Sequence, residues 1–275
     1  FESKLDTSSE QFNKNKTSML SMLEEIDVLL DEAELGGGEH HKERLAKRGK
    51  LPVRERVFHF LDPDSPFLEI SGLAAYKSDY PVGGGAIAGI GVSAGIECII
   101  FANDPTVLAG AMHFYSVKKW MRAMQIARDS RLPFIQFVES AGGDLRPRSN
   151  AVVGGTTHFA ESGRQFYEIT ELSKLNIPTV TVTFGTATAG GAYQPGMSDY
   201  NIFVKDQADV ALAGPPLVQM ATGEISSRED IGGAKMHAEK SGLAEYLADN
   251  DLDGIRIARE VMSHLNLSLI HISEP

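Results

Sequence analysis

Residues 178–204 read PTVTVTFGTATAGGAYQPGMSDYNIFV, and this stretch decides the fold class. Its first part, 178–184, is rich in β-branched residues, as an extended strand is. A helical segment opens near Ala189, and a second apolar run at 201–204 indicates another strand. The order strand, helix, strand is typical of α/β proteins.

The same alternation continues on both sides of this stretch. Upstream, an extended run at 133–138 precedes a helical stretch at 154–174. The other predicted helices are 116–130, 215–222 and 251–267, and the other predicted strands are 67–70, 86–92, 95–102 and 210–213. We therefore predict an α/β fold in which helices cover the strands.

The first 50 residues follow a different pattern. Apolar residues spaced three and four apart before Leu35 predict an amphipathic helix. This helix ends at residues 36–38, because three consecutive glycines favour a flexible joint over a continued helix. The basic stretch 39–50 predicts a second helix that forms a solvated arm. Residues 1–50 are thus predicted to be an N-terminal helical arm.

Composition excludes several classes of function. The formal net charge of −11 over 275 residues argues against nucleic-acid binding, which needs a basic face. Cys98 is the only cysteine, so disulfides and cysteine-rich zinc sites are excluded, and the histidines lack the spacing of a metal site. No apolar stretch is long enough to span a membrane. We expect a soluble, intracellular protein without a metal.

Two familiar motifs occur in the wrong context. Residues 91–95 match G-x-S-x-G, the nucleophile elbow of serine hydrolases, but the run after Gly95 predicts a strand where the elbow needs a helix. Ser93 is therefore interpreted as a hairpin residue. The glycines at 83–85 loosely imitate a dinucleotide fingerprint, yet they precede a strand.

Two glycine clusters remain, and each follows a predicted strand. Ser140, Ala141, Gly142 and Gly143 follow the run 133–138, and residues 186–193 follow the run 178–184. Glycine permits close approach of the backbone to a ligand, and the first N–H groups of a helix are free to bind an oxyanion. Tight turns with close helix–strand packing are the alternative interpretation.

Five stretches together resemble the carboxyltransferase β-subunits of biotin-dependent acyl-CoA carboxylases, in particular the methylcrotonyl-CoA and propionyl-CoA branch. They are RERVFHFLDPDSPFLEIS (54–71), ANDPTVLAGA (102–111), TAGGAYQPGMSDYNIFV (188–204), LAGPPLVQMATGE (212–224) and GGAKMHAEKSG (232–242). The resemblance implies a crotonase-like ββα superhelix that binds a CoA thioester. It also implies the reaction, in which an acyl-CoA enolate is carboxylated by CO2 released from carboxybiotin.

The resemblance further implies roles for individual residues. It places the enolate oxygen at the backbone N–H groups of Gly190 and Gly191. The residues expected to line the substrate pocket are Ser140, Ala141, Gly142, Gly143, Thr188, Ala189 and Tyr193. The family commonly has glycine at the position of Ala141 and lysine at that of Leu108.

The same resemblance implies domains and partners. Family β-subunits are about twice this length, so residues 51–267 are expected to be the N-terminal crotonase-like domain, followed by an unassigned tail at 268–275. Biotin would arrive as carboxybiotin on a partner biotin carboxylase/carrier subunit, which alone would use ATP and Mg. We expect a homo-oligomer in the bacterial cytoplasm or the mitochondrial matrix.

Two alternatives stay open on sequence. One is another crotonase-fold acyl-CoA enzyme, either a decarboxylase or a hydratase, for which Glu139 and Glu161 are the available carboxylates. The other is a non-catalytic scaffold that assembles subunits.

Overall fold

A computed structural model describes residues 3–144 and 156–265, with side chains described from residue 163 onward in the second range. The helices are α1 (Glu10–Leu35), α2 (Glu39–Ala46), α3 (Val53–Phe60), α4 (Phe114–Ser130), α5 (Thr156–Lys174), α6 (Tyr193–Gly196), α7 (Pro215–Thr222), α8 (Arg228–Gly232), α9 (Ala234–Met236) and α10 (Asp251–His264). Short 3₁₀ turns lie at Leu108–Gly110 and Ala189–Ala192, and a π turn lies at His237–Ser241.

The strands of the described residues form one mixed sheet. They are β1 (Leu68–Glu69), β2 (Ala86–Ser93), β3 (Ile96–Asn103), β4 (Phe134–Ser140), β5 (Thr179–Thr188), β6 (Tyr200–Val204), β7 (Asp209–Ala211) and β8 (Tyr246–Ala248). Their order is β1-β2-β3-β4-β5-β6-β8, and β7 pairs with the end of β5. The first three strands are antiparallel, and from β3 onward the pairs are parallel.

Helices cover both faces of this sheet, as the alternation of the sequence predicts. On one face α3 and α10 pack on the strands, and Phe60 and Ala258 are fully buried in the hydrophobic core between these helices and the sheet. On the other face α4 and α5 pack together, and Trp120 and Met124 are fully buried against Phe101 and Phe134. The interpretation of Trp120 as a core residue is thus confirmed.

Local signals account for several helix ends. Helix α7 has Pro215 in its first turn and stops at Gly223, whose φ of 78° suits glycine. Helix α10 starts after Asn250, whose side chain accepts a hydrogen bond from the N–H of Asp253. The predicted bounds of α7 agree with the structure, whereas α10 ends at His264, before the predicted 267. The predicted tail at 268–275 lies outside the described residues.

The N-terminal arm differs from the sequence interpretation in two respects. The expected flexible joint is packed, because the N–H of Gly37 donates to the Thr106 hydroxyl at 2.8 Å and a Cβ at Gly37 would overlap the Thr106 carbonyl oxygen. The second helix is shorter than predicted, ending at Ala46, and it is not wholly solvated, because Leu45 is buried. Helix α1 buries none of its side chains.

Helices α3, α8 and α9 and strand β8 were missed on sequence. Helix α3 has eight residues, and its buried face includes Arg56, a residue type that hydrophobic patterning assigns to the surface. The apolar pattern of α3 is therefore too weak to predict a helix. Arg56 can be buried because it forms ion pairs with Glu139 and Asp251.

Among the described residues, no helix has the length and apolarity to cross a membrane.

Candidate active site

The candidate site lies where two neighbouring parallel strands end. Strands β4 and β5 run side by side, with Phe134 opposite Thr179 and Val138 opposite Thr183. The carboxyl ends of parallel strands meet at one edge of a sheet, where α/β proteins commonly bind ligands. Both glycine clusters found in the sequence therefore lie at this edge.

The two clusters are in contact. A Cβ atom on Gly142 would lie 2.9 Å from the Thr188 carbonyl oxygen, and one on Gly191 would lie 3.4 Å from the Cβ of Ser140. Gly142 has a φ of +93°, and its N–H donates to the Ser140 hydroxyl at 3.2 Å. Close packing and a left-handed backbone thus both favour glycine at position 142.

The first cluster is held by the segment that follows β3. The N–H of Ala141 donates to the carbonyl of Ala109, and the N–H of Met112 donates to the carbonyl of Gly142. Ala141 has no positive φ, so alanine fits this position without strain. Its N–H is already bonded, so it is not a free donor for a ligand in this structure.

In the second cluster, residues 186–188 end β5, residues 189–192 form a 3₁₀ turn, and Tyr193 begins α6. Gly190 and Gly191 lie in the first turn, where backbone N–H groups have few intrahelical acceptors. The Cα of Gly190 faces two side chains: an added Cβ would be 3.7 Å from the methyl group of Met112 and 3.9 Å from Nε2 of Gln165. Tyr193 is 39% exposed, and its ring centroid lies 4.5 Å from that of Phe166.

Behind the first cluster lies a nearly buried ionic network. The Glu139 carboxylate binds Nζ of Lys50 and accepts a hydrogen bond from Arg56 at 2.9 Å. Arg56, 1% exposed, also donates to Asp251 at 2.9 Å, and its guanidinium lies 4.3 Å from the centre of the Phe184 ring. Glu139 is therefore committed to two cations. The side chain of Glu161 lies outside the described residues.

A basic cavity of about 160 Å³ opens beside the first cluster. Three exposed residues of α2 and its C-terminal turn, His41, Arg44 and Arg48, lie on it at spacings that share one helix face. The lining also includes Ala141, Thr186 and Glu139, whose negative charge is paired with Lys50 and Arg56. Among the described residues, no carboxylate forms an ion pair with Arg44 or Arg48, so their charges are available to an anion.

The rejected motifs have structural roles. Strands β2 and β3 form a hairpin, and the Ser93 hydroxyl is buried, donating to the Phe60 carbonyl at 2.8 Å. Gly83, Gly84 and Gly85 all have positive φ and precede β2. Burial raises the pKa of the Cys98 thiol to about 12, so this cysteine is not activated.

A family model decides the classification. The carboxyl transferase domain matches residues 44–272. The chain belongs to the carboxyl transferase domain family. The resemblance that the five sequence stretches indicate is therefore confirmed. The domain's α/β, crotonase-like fold is confirmed as well, by its likeness to solved carboxyltransferase structures.

Curated relatives of this carboxyl transferase domain are β-subunits of carboxylases. It is 46% identical over 265 residues to a "Probable biotin-dependent acyl-coenzyme A carboxylase beta2 subunit" of Mycobacterium tuberculosis, covering 96% of this chain and 49% of the relative. It is 42% identical to a "Probable methylcrotonoyl-CoA carboxylase beta chain, mitochondrial" of Drosophila melanogaster, covering 97% and 46%. The chain thus spans about half the length of these relatives.

Solved structures agree with the sequence relatives. The carboxyl transferase domain superimposes on the β-subunit of Pseudomonas aeruginosa geranyl-CoA carboxylase with a TM-score of 0.85 and 41% identity, covering 96% of this chain and 48% of that one. It superimposes on the 12S subunit of a transcarboxylase, solved with methylmalonyl-coenzyme A bound, with a TM-score of 0.79 and 26% identity, covering 89% and 48%.

Sequence reasoning missed several residues at this edge of the carboxyl transferase domain. Lys50 and Arg56 reach Glu139 from the N-terminal segment, and Met112 and Gln165 flank Gly190. No local pattern marks these four residues. The spacing of His41, Arg44 and Arg48 in the one basic stretch of an acidic chain was the available signal for the cavity.

Proposed function

We propose that this chain binds the acyl-CoA substrate of a biotin-dependent acyl-CoA carboxylase and stabilises the enolate of the acyl group while it is carboxylated. The observation that carries this proposal is the contact between residues 140–143 and 188–191 at the ends of β4 and β5. Membership of the carboxyl transferase family supports it.

In this proposal the backbone of the second cluster binds the thioester oxygen. The N–H groups of Gly190 and Gly191 would donate to it and would bind more strongly as negative charge develops on the enolate. Loss of one such donor typically lowers the rate by about 10²–10³. The residues proposed to line the pocket are Ser140, Ala141, Gly142, Gly143, Thr188, Ala189 and Tyr193.

The basic cavity supports an orientation for the CoA moiety. CoA carries a pyrophosphate and a 3′-phosphate, and arginine binds phosphate oxygens through paired N–H donors. We place a CoA phosphate at His41, Arg44 and Arg48, since these residues share the cavity with Ala141 of the first cluster. The acidic net charge of the chain is compatible with this placement, because the positive charge is concentrated locally.

The reaction as a whole is proposed to need more than this chain. Carboxybiotin on a partner carrier subunit would supply the CO2, and ATP and Mg would act at the partner biotin carboxylase. Because the chain spans about half of its relatives, we propose that it binds acyl-CoA alone but transfers carboxyl only with a second domain, in a homo-oligomer. Robust transfer from free carboxybiotin by this chain alone would contradict that. The bacterial cytoplasm and the mitochondrial matrix remain the proposed locations.

The arrangement of Glu139 disfavours the hydratase alternative. A hydratase needs carboxylates that can exchange protons with water, whereas Glu139 is bound to Lys50 and Arg56. A paired carboxylate of this kind is better suited to hold its own backbone in place. A decarboxylase of the same family would use the same enolate site and is separated from a carboxylase only by assay.

Gly190→Pro tests the proposal, because proline lacks the N–H that the enolate site requires. Calorimetric titration with propionyl-CoA and with free CoA should show that the variant loses the extra affinity for the thioester while it still binds CoA. Gly196→Ala is the matched control: it leaves the N–H groups of Gly190 and Gly191 in place, and no described atom lies within 4 Å of its methyl group. Both variants should keep the circular dichroism spectrum of the parent. If Gly190→Pro binds propionyl-CoA as the parent does, the proposed site is wrong.

A further inference from the structure

Gln165 is a buried polar residue beside the second glycine cluster. It lies on α5, its side chain is 3% exposed, and its Nε2 is 3.9 Å from the position of a Cβ on Gly190. The other neighbour of that position is the apolar methyl group of Met112. The carboxamide therefore forms the polar part of the wall that faces Gly190.

This carboxamide has no hydrogen-bond partner among the described residues. Its Oε1 is buried and unpaired. Its Nε2 donates to none of the described groups. Buried polar side chains usually have partners, because removing them from water without one is unfavourable. Gln136, fully buried within the sheet, donates from Nε2 to the hydroxyls of Thr181 and Ser198, although its Oε1 is unpaired too. Gln194, also fully buried, has no partner at either amide atom. Gln165 differs from Gln136 in that no described group holds its Nε2, the amide end that faces Gly190.

We infer that Gln165 contacts the acyl-CoA directly and donates from its carboxamide to the thioester oxygen held at Gly190. The inference rests on the proposed function of Gly190, and it adds a side-chain donor to the backbone donors. The geometry favours this contact because Nε2 of Gln165 is the one polar atom within 4 Å of the Cβ position of Gly190 among the described residues. A neutral amide donor stabilises a developing enolate without the desolvation cost of a buried cation.

The test compares two CoA probes that differ in the carbonyl oxygen. Propionyl-CoA carries the thioester oxygen, and S-propyl-CoA, a thioether, lacks it. Both probes are titrated into the 275-residue chain, into Gln165→Met and into a control, Gln125→Met. Gln125 is an exposed residue on α4. We expect Gln165→Met to weaken propionyl-CoA binding about 3- to 10-fold, the worth of one hydrogen bond, and to leave S-propyl-CoA within about twofold. Gln125→Met should change neither.

The outcomes separate the role of Gln165 from the existence of the thioester site. If the parent does not distinguish the two probes, the thioester site itself is wrong and the role of Gln165 is overturned with it. If the parent distinguishes them and Gln165→Met does so equally well, only the role of Gln165 is overturned. An equal loss for both probes would assign Gln165 to packing. The melting temperature of Gln165→Met should equal or exceed that of the parent, and a clear decrease would indicate a structural partner and overturn the inference.

Discussion

The guanidinium of Arg56 lies 2.9 Å from the carboxylate of Glu139, directly behind the residues that form the candidate site. Glu139 lies next to Ser140 at the end of β4. Arg56 lies on α3, 83 residues earlier in the chain. Through Asp251 the same guanidinium also reaches α10. One buried cation thus joins the first glycine cluster to the helical layer on one face of the sheet.

Glu139→Gln should destabilise the fold strongly, because it leaves Lys50 and Arg56, whose side chains are largely buried, without their shared counter-charge. Breaking a buried pair from one side typically costs about 3–5 kcal/mol of unfolding free energy. Urea denaturation at pH 7 measures the loss. The matched control is Glu260→Gln, since Glu260 pairs with Arg256 on the surface and should contribute about 0–1 kcal/mol. Equal, small effects for both variants would contradict a structural role for the buried network.

Gly110→Ala should be poorly tolerated, because position 110 combines a φ of +67° with a Cβ position only 1.9 Å from the Glu139 carbonyl oxygen. The backbone of β4 would have to move, at a cost of about 2–5 kcal/mol. Thermal unfolding followed by circular dichroism measures this. Gly163→Ala, inside α5 with no atom near the new methyl group, should be neutral or stabilising by about 0.5–1 kcal/mol. A mild effect of Gly110→Ala would show that the close approach of the two segments is relaxed in solution.

Stability should rise with pH through the titration of Lys119. Burial lowers the pKa of Lys119 from its ordinary value of 10.5 to about 8, although Glu69 opposes this shift. Because the unfolded chain then holds the proton more tightly, the folded state gains up to about 3 kcal/mol between pH 8 and pH 10.5 from this group. Urea midpoints across this range should show that gain in the parent and not in Lys119→Met. Parallel pH curves for the two proteins would rule out the buried ammonium as the cause.

Neutralising the basic cavity should weaken CoA binding in a salt-dependent way. The double substitution Arg44→Gln and Arg48→Gln removes two unpaired charges beside Ala141, so we expect about a tenfold or larger loss of affinity for CoA. The loss should shrink as salt rises, since ions screen exposed charges. Arg122→Gln on α4 serves as the control for a general charge effect. An equal loss in that control would point to the overall field of the protein and away from a local phosphate site.

Several elements were predictable because their signals are local. The β-branched run of β5 and the proline and glycine that bound α7 act within a few residues. Helix α7 has its predicted bounds, and β5 covers the predicted run but continues to Thr188. Helix α3 was not predictable, since Arg56 interrupts its apolar pattern and becomes buried only through Glu139 and Asp251. The packed glycine joint is a similar case, because the Thr106 contact that orders Gly37 lies 69 residues away.

The sequence by itself determined the class of fold and the sheet edge where the candidate site lies. Alternating periods of two and 3.6 residues predict strands covered by helices, and glycines directly after β4 and β5 mark the ends of two parallel strands. Only the tertiary structure decided which side chains face those glycines. Gln165 reaches Gly190, and Lys50 reaches Glu139, from helices and loops that are remote along the chain. Such contacts depend on packing between distant segments, so the local pattern of residues does not predict them.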